Sequence, residues 1–296
     1  MNQVEELAAV NAAPEIKTSH SLGWQAVLLT ALVAVLYYKI LWNLAIHWWQ
    51  DPNFSHGFFV PLFSGWILWA NRKKLAQLPV RPSWSGLVLI ALSLAMLVVG
   101  VLGSELFLQR VSLISLLAGL VVYMLGWTYY RAVFFAWAFL LFMIPIPAIL
   151  FNQVTFPLQL LASQVASTLL PLFGVPILRE GNVLHLPAMP LEVAEACSGI
   201  RSLMSLGTLA IVYGYFLEPR TWARVALAIA AIPIAVAANA SRIVGTGLLV
   251  QYWDPDKALG FFHEFSGLVI FVVSFALLIA VHKAEQLVTP GGKNAL

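Results

Sequence analysis

Thiols and charges are both scarce in this chain, and each scarcity excludes a class of protein. One cysteine, Cys197, in 296 residues rules out an internal disulfide and any multi-cysteine metal site. Charged residues make up 10% of the sequence and hydrophobic ones 61%, where soluble domains carry roughly 25% charge. Together with a mean hydropathy of +0.87, this predicts a polytopic membrane protein. No aspartate falls inside an apolar run, so paired intramembrane aspartates are excluded. The first 21 residues carry Glu5, Glu6 and Glu15 instead of the basic start of a cleaved signal peptide. The first apolar run is therefore expected to stay as a helix. No internal repeat and no linker divides the chain. The expectation is one multi-pass domain over 22–282, with tails at 1–21 and 283–296. The formal charge of +3 does not indicate a nucleic-acid partner, because the basic residues mark topology.

Apolar runs lie at Leu22–Trp42, Gly57–Ala70, Trp84–Gly103, Val111–Gly126, Ala132–Leu150, Gly199–Leu217, Val225–Val250 and Phe265–Val281. A further run, Phe151–Val175, is interrupted by prolines and glutamines. Basic residues concentrate on the cytoplasmic side of membrane proteins. With the N-terminus inside, Lys17, Arg72, Lys73, Lys74, Arg81, Arg131, Arg220, Arg224, Lys283 and Lys293 are internal, and only Arg110, Arg179 and Lys257 are external. The run ending near Pro145 then ends outside, and the helix that opens near Cys197 must also start outside. Residues 151–196 thus leave and regain one face, which fits an interfacial or re-entrant element at 151–175. The fold class expected is all-α and polytopic, with about eight transmembrane helices and both termini cytoplasmic. Residues 176–194, alternating and proline-broken, read as an extended or hairpin segment outside.

This topology gathers three oddly polar residues on the outer side. Cys197 lies in EACSGIRS (195–202), Arg242 in NASRIVGTG (239–247), and His263 precedes the last apolar run. A guanidinium inside a membrane segment is a functional hypothesis by default. The three suit thiol-based acyl chemistry. A cysteine at a helix N-terminus, with Arg201 four residues on, favours the thiolate; a histidine moves the proton; an always-charged arginine stabilises the oxyanion. Asn239 lies one turn before Arg242, where it can orient the arginine or the substrate carbonyl. Glu195 is the carboxylate that would pair with Arg242 in a purely structural role, and Arg201 is equally suited to be such a partner.

A second polar cluster, WWQDPNFSHGF (48–58), lies on the same face. Ser55 reads as a helix cap, and His56 as a structural or substrate-positioning residue. Two rival readings use the same residues differently: an intramembrane serine protease built on Ser198 and His263, and a transporter or export component with Arg242 binding an anion. HEFSG (263–267) has Gly267 where a zinc HExxH helix needs its second histidine. No metal and no cofactor is expected.

EACSGIRSL (195–203), NASRI (239–243), His263 and DPNFSHGFFVP (51–61) resemble the exosortase/archaeosortase family, its bacterial exosortase branch in particular. The resemblance implies a multi-pass enzyme of the bacterial inner membrane, its site facing the periplasm. Such an enzyme acts as a sortase-like cysteine peptidase or transpeptidase on exported, membrane-anchored proteins. Those substrates end in a Pro-Glu-Pro-type motif, a transmembrane helix and a basic tail. It also implies Cys197 as acyl-thioester nucleophile, completed by Arg242 and His263. The acceptor, whether water, an extracellular polysaccharide or a lipid, stays open. Since the sequence stops soon after the last run, the membrane core of such an enzyme is expected on its own.

Overall fold

The computed structural model describes residues 19–193, 200–253 and 261–288. The chain divides into two compact units, Met1–Ile46 and His47–Leu296. The long helix α1 (Ser19–Gln50) begins in the first and ends in the second. Within the first unit, Val27, Val35 and Tyr38 are exposed, as suits a helix whose surroundings are lipid.

In the second unit a 3-10 turn, Pro52–Phe58, leads into α2 (Phe59–Ala70) and the short α3 (Arg72–Ala76). Next come α4 (Ser85–Leu102), α5 (Leu106–Met124), α6 (Trp127–Phe139) with a 3-10 extension at Leu140–Met143, and α7 (Ala148–Leu169), continued by a 3-10 turn at Leu170–Phe173. Three strands follow: β1 (Leu178–Glu180), β2 (Val183–His185) and β3 (Pro190–Glu192). The chain then returns through α8 (Ile200–Leu217), α9 (Thr221–Tyr252) and α10 (Phe261–Val288). Seven helices among the described residues are long and apolar enough to cross a membrane, in keeping with an all-α polytopic protein.

Two runs differ from expectation. Phe151–Val175 forms most of one continuous helix, α7, which with its 3-10 turn is 26 residues long and meets the length and apolarity of a membrane span. Of the prolines and glutamines that suggested a broken element, only Gln159 lies on the buried stripe of Phe151, Thr155, Gln159, Ala162, Ser163 and Ala166, and Pro157 stands exposed within the helix. Thr155 Oγ1 donates to the Phe151 carbonyl at 2.8 Å, so its hydroxyl is satisfied within the helix. Conversely, the run at 57–70 yields only the twelve-residue α2, about 18 Å of rise against a hydrocarbon core of about 30 Å.

The extended segment expected at 176–194 is an antiparallel sheet of order β1-β2-β3, with Leu184 paired to both Arg179 and Leu191. Leu184 and Leu191 bury against Ala162, Ala166 and Leu170 of α7 and Ile243 and Val244 of α9. Ser163 Oγ donates to the Gly181 carbonyl at 2.9 Å, and the Ala188 N–H donates to Gln251 Oε1 at 3.3 Å. The sheet is thereby fixed across the ends of α7 and α9.

Helices α8, α9 and α10 pack through Leu206 and Ala210, Leu227, Ala231 and Ala235, and Leu278. The alanines of α9 recur every fourth residue and bring its neighbours close. The far end of this three-helix layer is closed by an ionic network. Glu218, only 2% exposed, accepts from Arg220 Nε at 2.8 Å and from the Arg220 N–H at 3.0 Å. His282 Nε2 lies 3.2 Å from the other carboxylate oxygen. A carboxylate only accepts, so Nε2 carries a proton, and Nδ1 lies 2.9 Å from the Tyr213 hydroxyl. Arg224 Nε donates to the Glu218 carbonyl at 2.6 Å. These bonds, the Arg220 side chain foremost, hold the Glu218 pKa down at about 2 against the opposing effect of burial.

Candidate functional site

The cluster at the other end of α8–α10 is built around Arg242. Residues 243 and 244 of α9 are buried under the sheet. A helical step of about 100° per residue turns Arg242 away from that face and toward α10. A Cβ on Gly267 would sit 3.6 Å from Arg242 Nη2 and 3.7 Å from Cζ, so the guanidinium lies against the bare backbone of α10. Gly267 is four residues, about one turn, past His263. The backbone of residue 263 is helical, as the first turn of α10 requires; its side chain lies outside the described residues. Arg242 also lines a crevice with Leu191 and Val193, where the sheet ends. Asn239 is buried on the stripe carrying Ala235 and Ile243.

Arg201 stands in the first turn of α8 and reaches across to the 3-10 turn, where its Nε donates to Asn53 Oδ1 at 3.4 Å. Glu195, Cys197 and Ser198 lie outside the described residues.

The DPNFSHGF segment is held in place by four local interactions. Asp51, rather than Ser55, caps the turn: its Oδ1 accepts from the Asn53 N–H at 2.8 Å. Ser55 Oγ donates to the Pro52 carbonyl at 3.1 Å. His56 Nε2 faces the Phe142 carbonyl at 3.2 Å, and Trp48 Nε1 donates to the Met143 carbonyl at 2.8 Å. The indole packs so tightly on Gly57 that any side chain there would collide with it. Histidine opposite a carbonyl must donate, which places the proton on Nε2 and leaves Nδ1 as an acceptor. Nδ1 is buried and makes no hydrogen bond. Burial pushes the imidazole pKa below its usual value, against a smaller upward pull from the Phe142 and Asn53 backbone.

A cavity of about 440 Å³ lies directly beneath this arrangement. It meets α8 at Ser205, one turn past Arg201, and α10 at Phe271, one turn past Gly267. The structure therefore adds three residues that the sequence did not assign to the site: Asn53, Gly267 and Ser205. Helical spacing was the available signal, since Gly267 and Ser205 each stand four residues beyond a chosen position.

Chemically, the described part of the site offers a cation held against a helix backbone, a neutral imidazole of fixed tautomer, and an apolar chamber. That combination stabilises an anion at a membrane-embedded centre. Among the described residues no three His, Cys, Asp or Glu side chains converge to hold a metal ion. Compared with known families, residues 48–280 match one family model, described as Transmembrane exosortase (Exosortase_EpsH). No curated protein and no solved structure matches the chain.

Proposed function

The chain belongs to the transmembrane exosortase family, and from that premise we propose that it is a cysteine transpeptidase acting through a thioester on Cys197. Membership in the family carries the general activity, a transmembrane sorting transpeptidase. The thiol mechanism, a Pro-Glu-Pro-type signal on the substrate, the inner-membrane location and the outward-facing site belong to the proposal. One observation carries it: the Arg242 guanidinium lies against α10 one turn from residue 263. Arg242 also shares a crevice with Val193, four residues before Cys197. Arg201 stands four residues after Cys197, and four residues reach at most about 14 Å.

The Cys197 thiolate attacks the scissile carbonyl carbon and forms a C–S bond, and the oxyanion develops against Arg242. As the C–N bond breaks, His263 delivers a proton to the leaving amine. In the second step the acceptor's hydroxyl or amine attacks the thioester. Its proton passes to His263, and the thiolate leaves. Arginine keeps its charge throughout, so Arg242 acts as an electrostatic partner, not a proton donor. The membrane setting restricts water, which favours transfer to an acceptor over hydrolysis.

Trapping the acyl-enzyme tests this reading. Membranes given a substrate with the C-terminal signal are quenched in acid, and the enzyme–substrate adduct is released with hydroxylamine, which cleaves thioesters. The adduct is expected on the wild type and on Ser198→Ala, and absent on Cys197→Ala. A Cys197→Ala protein that still processes substrate, with Ser198→Ala inactive, would replace the thiol mechanism by a serine one.

A further inference from the structure

We propose that the chamber beneath the 3-10 turn is the specificity pocket for the first apolar turns of the substrate segment that follows the cleaved bond. The assignment rests on the thioester reading for the identity of the cleaved bond, but its geometry is independent of it. His56 roofs the chamber, Phe63, Phe139 and Phe271 line it, and α8 contributes Ser205 and Thr208. It follows α8 from Ser205 to Val212, about 10 Å of helix rise. Phe63 of this lining meets Phe216 edge-on at 5.5 Å.

Three features identify the occupant. The first is continuity: on both α8 and α10 the pocket begins one turn beyond a residue of the candidate site, so a chain leaving that site along these helices enters it. The second is size and lining. About 440 Å³, mostly apolar with a few polar groups, falls within the range of roughly 300–1,000 Å³ typical of binding pockets. The third separates peptide from lipid. Every residue of a peptide brings an N–H and a C=O that need partners away from water, whereas a hydrocarbon chain brings none. The pocket offers such partners: Ser205 makes no hydrogen bond with any described residue, while Thr208 already donates to the Met204 carbonyl at 2.7 Å. Ser205, Thr208, Leu209 and Val212, the α8 residues that line the pocket, are each only partly buried, so this face has room for another packed segment. Serine, glycine and threonine at 205, 207 and 208 are the residue types that admit a close helix partner in a membrane.

The test uses full-length enzyme in membranes. A photo-crosslinking amino acid replaces Leu209, in the pocket wall, and substrate is added. The crosslink is expected to fall within the first turns of the substrate's apolar segment, and to persist when Cys197→Ala is added. In parallel, Ser205→Trp fills the chamber. It is expected to slow thioester formation about tenfold or more, while a small thiol reagent labels Cys197 at the wild-type rate. A substrate with alanines in those first turns should recover part of the loss. Crosslinks to lipid alone would overturn the assignment. So would a Ser205→Trp enzyme that forms the thioester normally and then fails to pass it on, since the chamber would then serve the acceptor. Processing that survives Cys197→Ala would defeat the thiol mechanism while leaving the crosslink result standing. Should Ser205→Trp fail to accumulate, the crosslink decides alone.

Discussion

Helices α8, α9 and α10 carry polar side chains at both ends, and the two ends are finished differently. At one end Glu218, Arg220, Arg224, His282 and Tyr213 satisfy one another, and the carboxylate has partners on both oxygens. At the other, Arg242 rests against a backbone, Arg201 is tied through Nε to a single asparagine oxygen, and an imidazole nitrogen makes no hydrogen bond. An imidazole nitrogen buried without a hydrogen bond is destabilising, so its persistence beside a cavity marks the end where a ligand is expected. The closed network contains as many titratable groups, yet reads as a clamp between helices.

Substitutions at three positions and one change of condition test that contrast, the largest effect first. Arg242→Ala should lower turnover about a hundred- to thousandfold, as loss of an oxyanion partner does, with little change in thermal stability. Arg242→Lys should recover little of it, since a lysine cannot present the same planar fork. An Arg242→Ala protein that is active but unstable would reverse the assignment of the two ends. Glu218→Gln should do the opposite. It weakens charged hydrogen bonds and lowers stability by about 2 to 3 kcal/mol, measured by denaturation in detergent. Activity per folded molecule should stay within about threefold, because Arg224 bonds the backbone carbonyl of residue 218 and keeps that bond. Gly267→Leu should push the guanidinium off α10 and cut turnover by about tenfold, a loss of roughly 1.4 kcal/mol in transition-state stabilisation. Gly267→Ala should be tolerated, because its Cβ meets Arg242 at ordinary contact distance.

Acid gives the smallest effect. A carboxyl held at about 2 in the folded chain, against an ordinary 4.5, binds fewer protons folded than unfolded. Its stabilising contribution is present above pH 4.5 and fades as pH falls from there through 2. The wild type should lose more stability over that window than Glu218→Gln. Equal losses would mean that the network contributes nothing through Glu218.

The sequence disclosed the helices of the second half: the run at 199–217 became Ile200–Leu217, while those at 225–250 and 265–281 became the longer Thr221–Tyr252 and Phe261–Val288. It read α7 as interrupted by proline and glutamine, whereas the helix is continuous, with Pro157 inside it and Gln153 and Gln164 exposed. Arg242 was legible as a cation where hydrocarbon should be. Glu218 and His282 were not, because one stood in a loop and the other near a helix end, and only packing makes them neighbours. Gly267 had been noticed only as the residue that spoils a zinc motif; its importance comes from having no side chain.

Helix α9 runs without interruption from Arg224, fastened to the Glu218 carbonyl, past Pro233 to Arg242. The eighteen helical steps between them make an arm about 27 Å long. A tilt of about 2° at the fastened end carries the guanidinium roughly 1 Å sideways, a displacement that can cost a hundredfold in rate. The tolerance at Arg242 is therefore an angular one, and it is set at the other end of the helix.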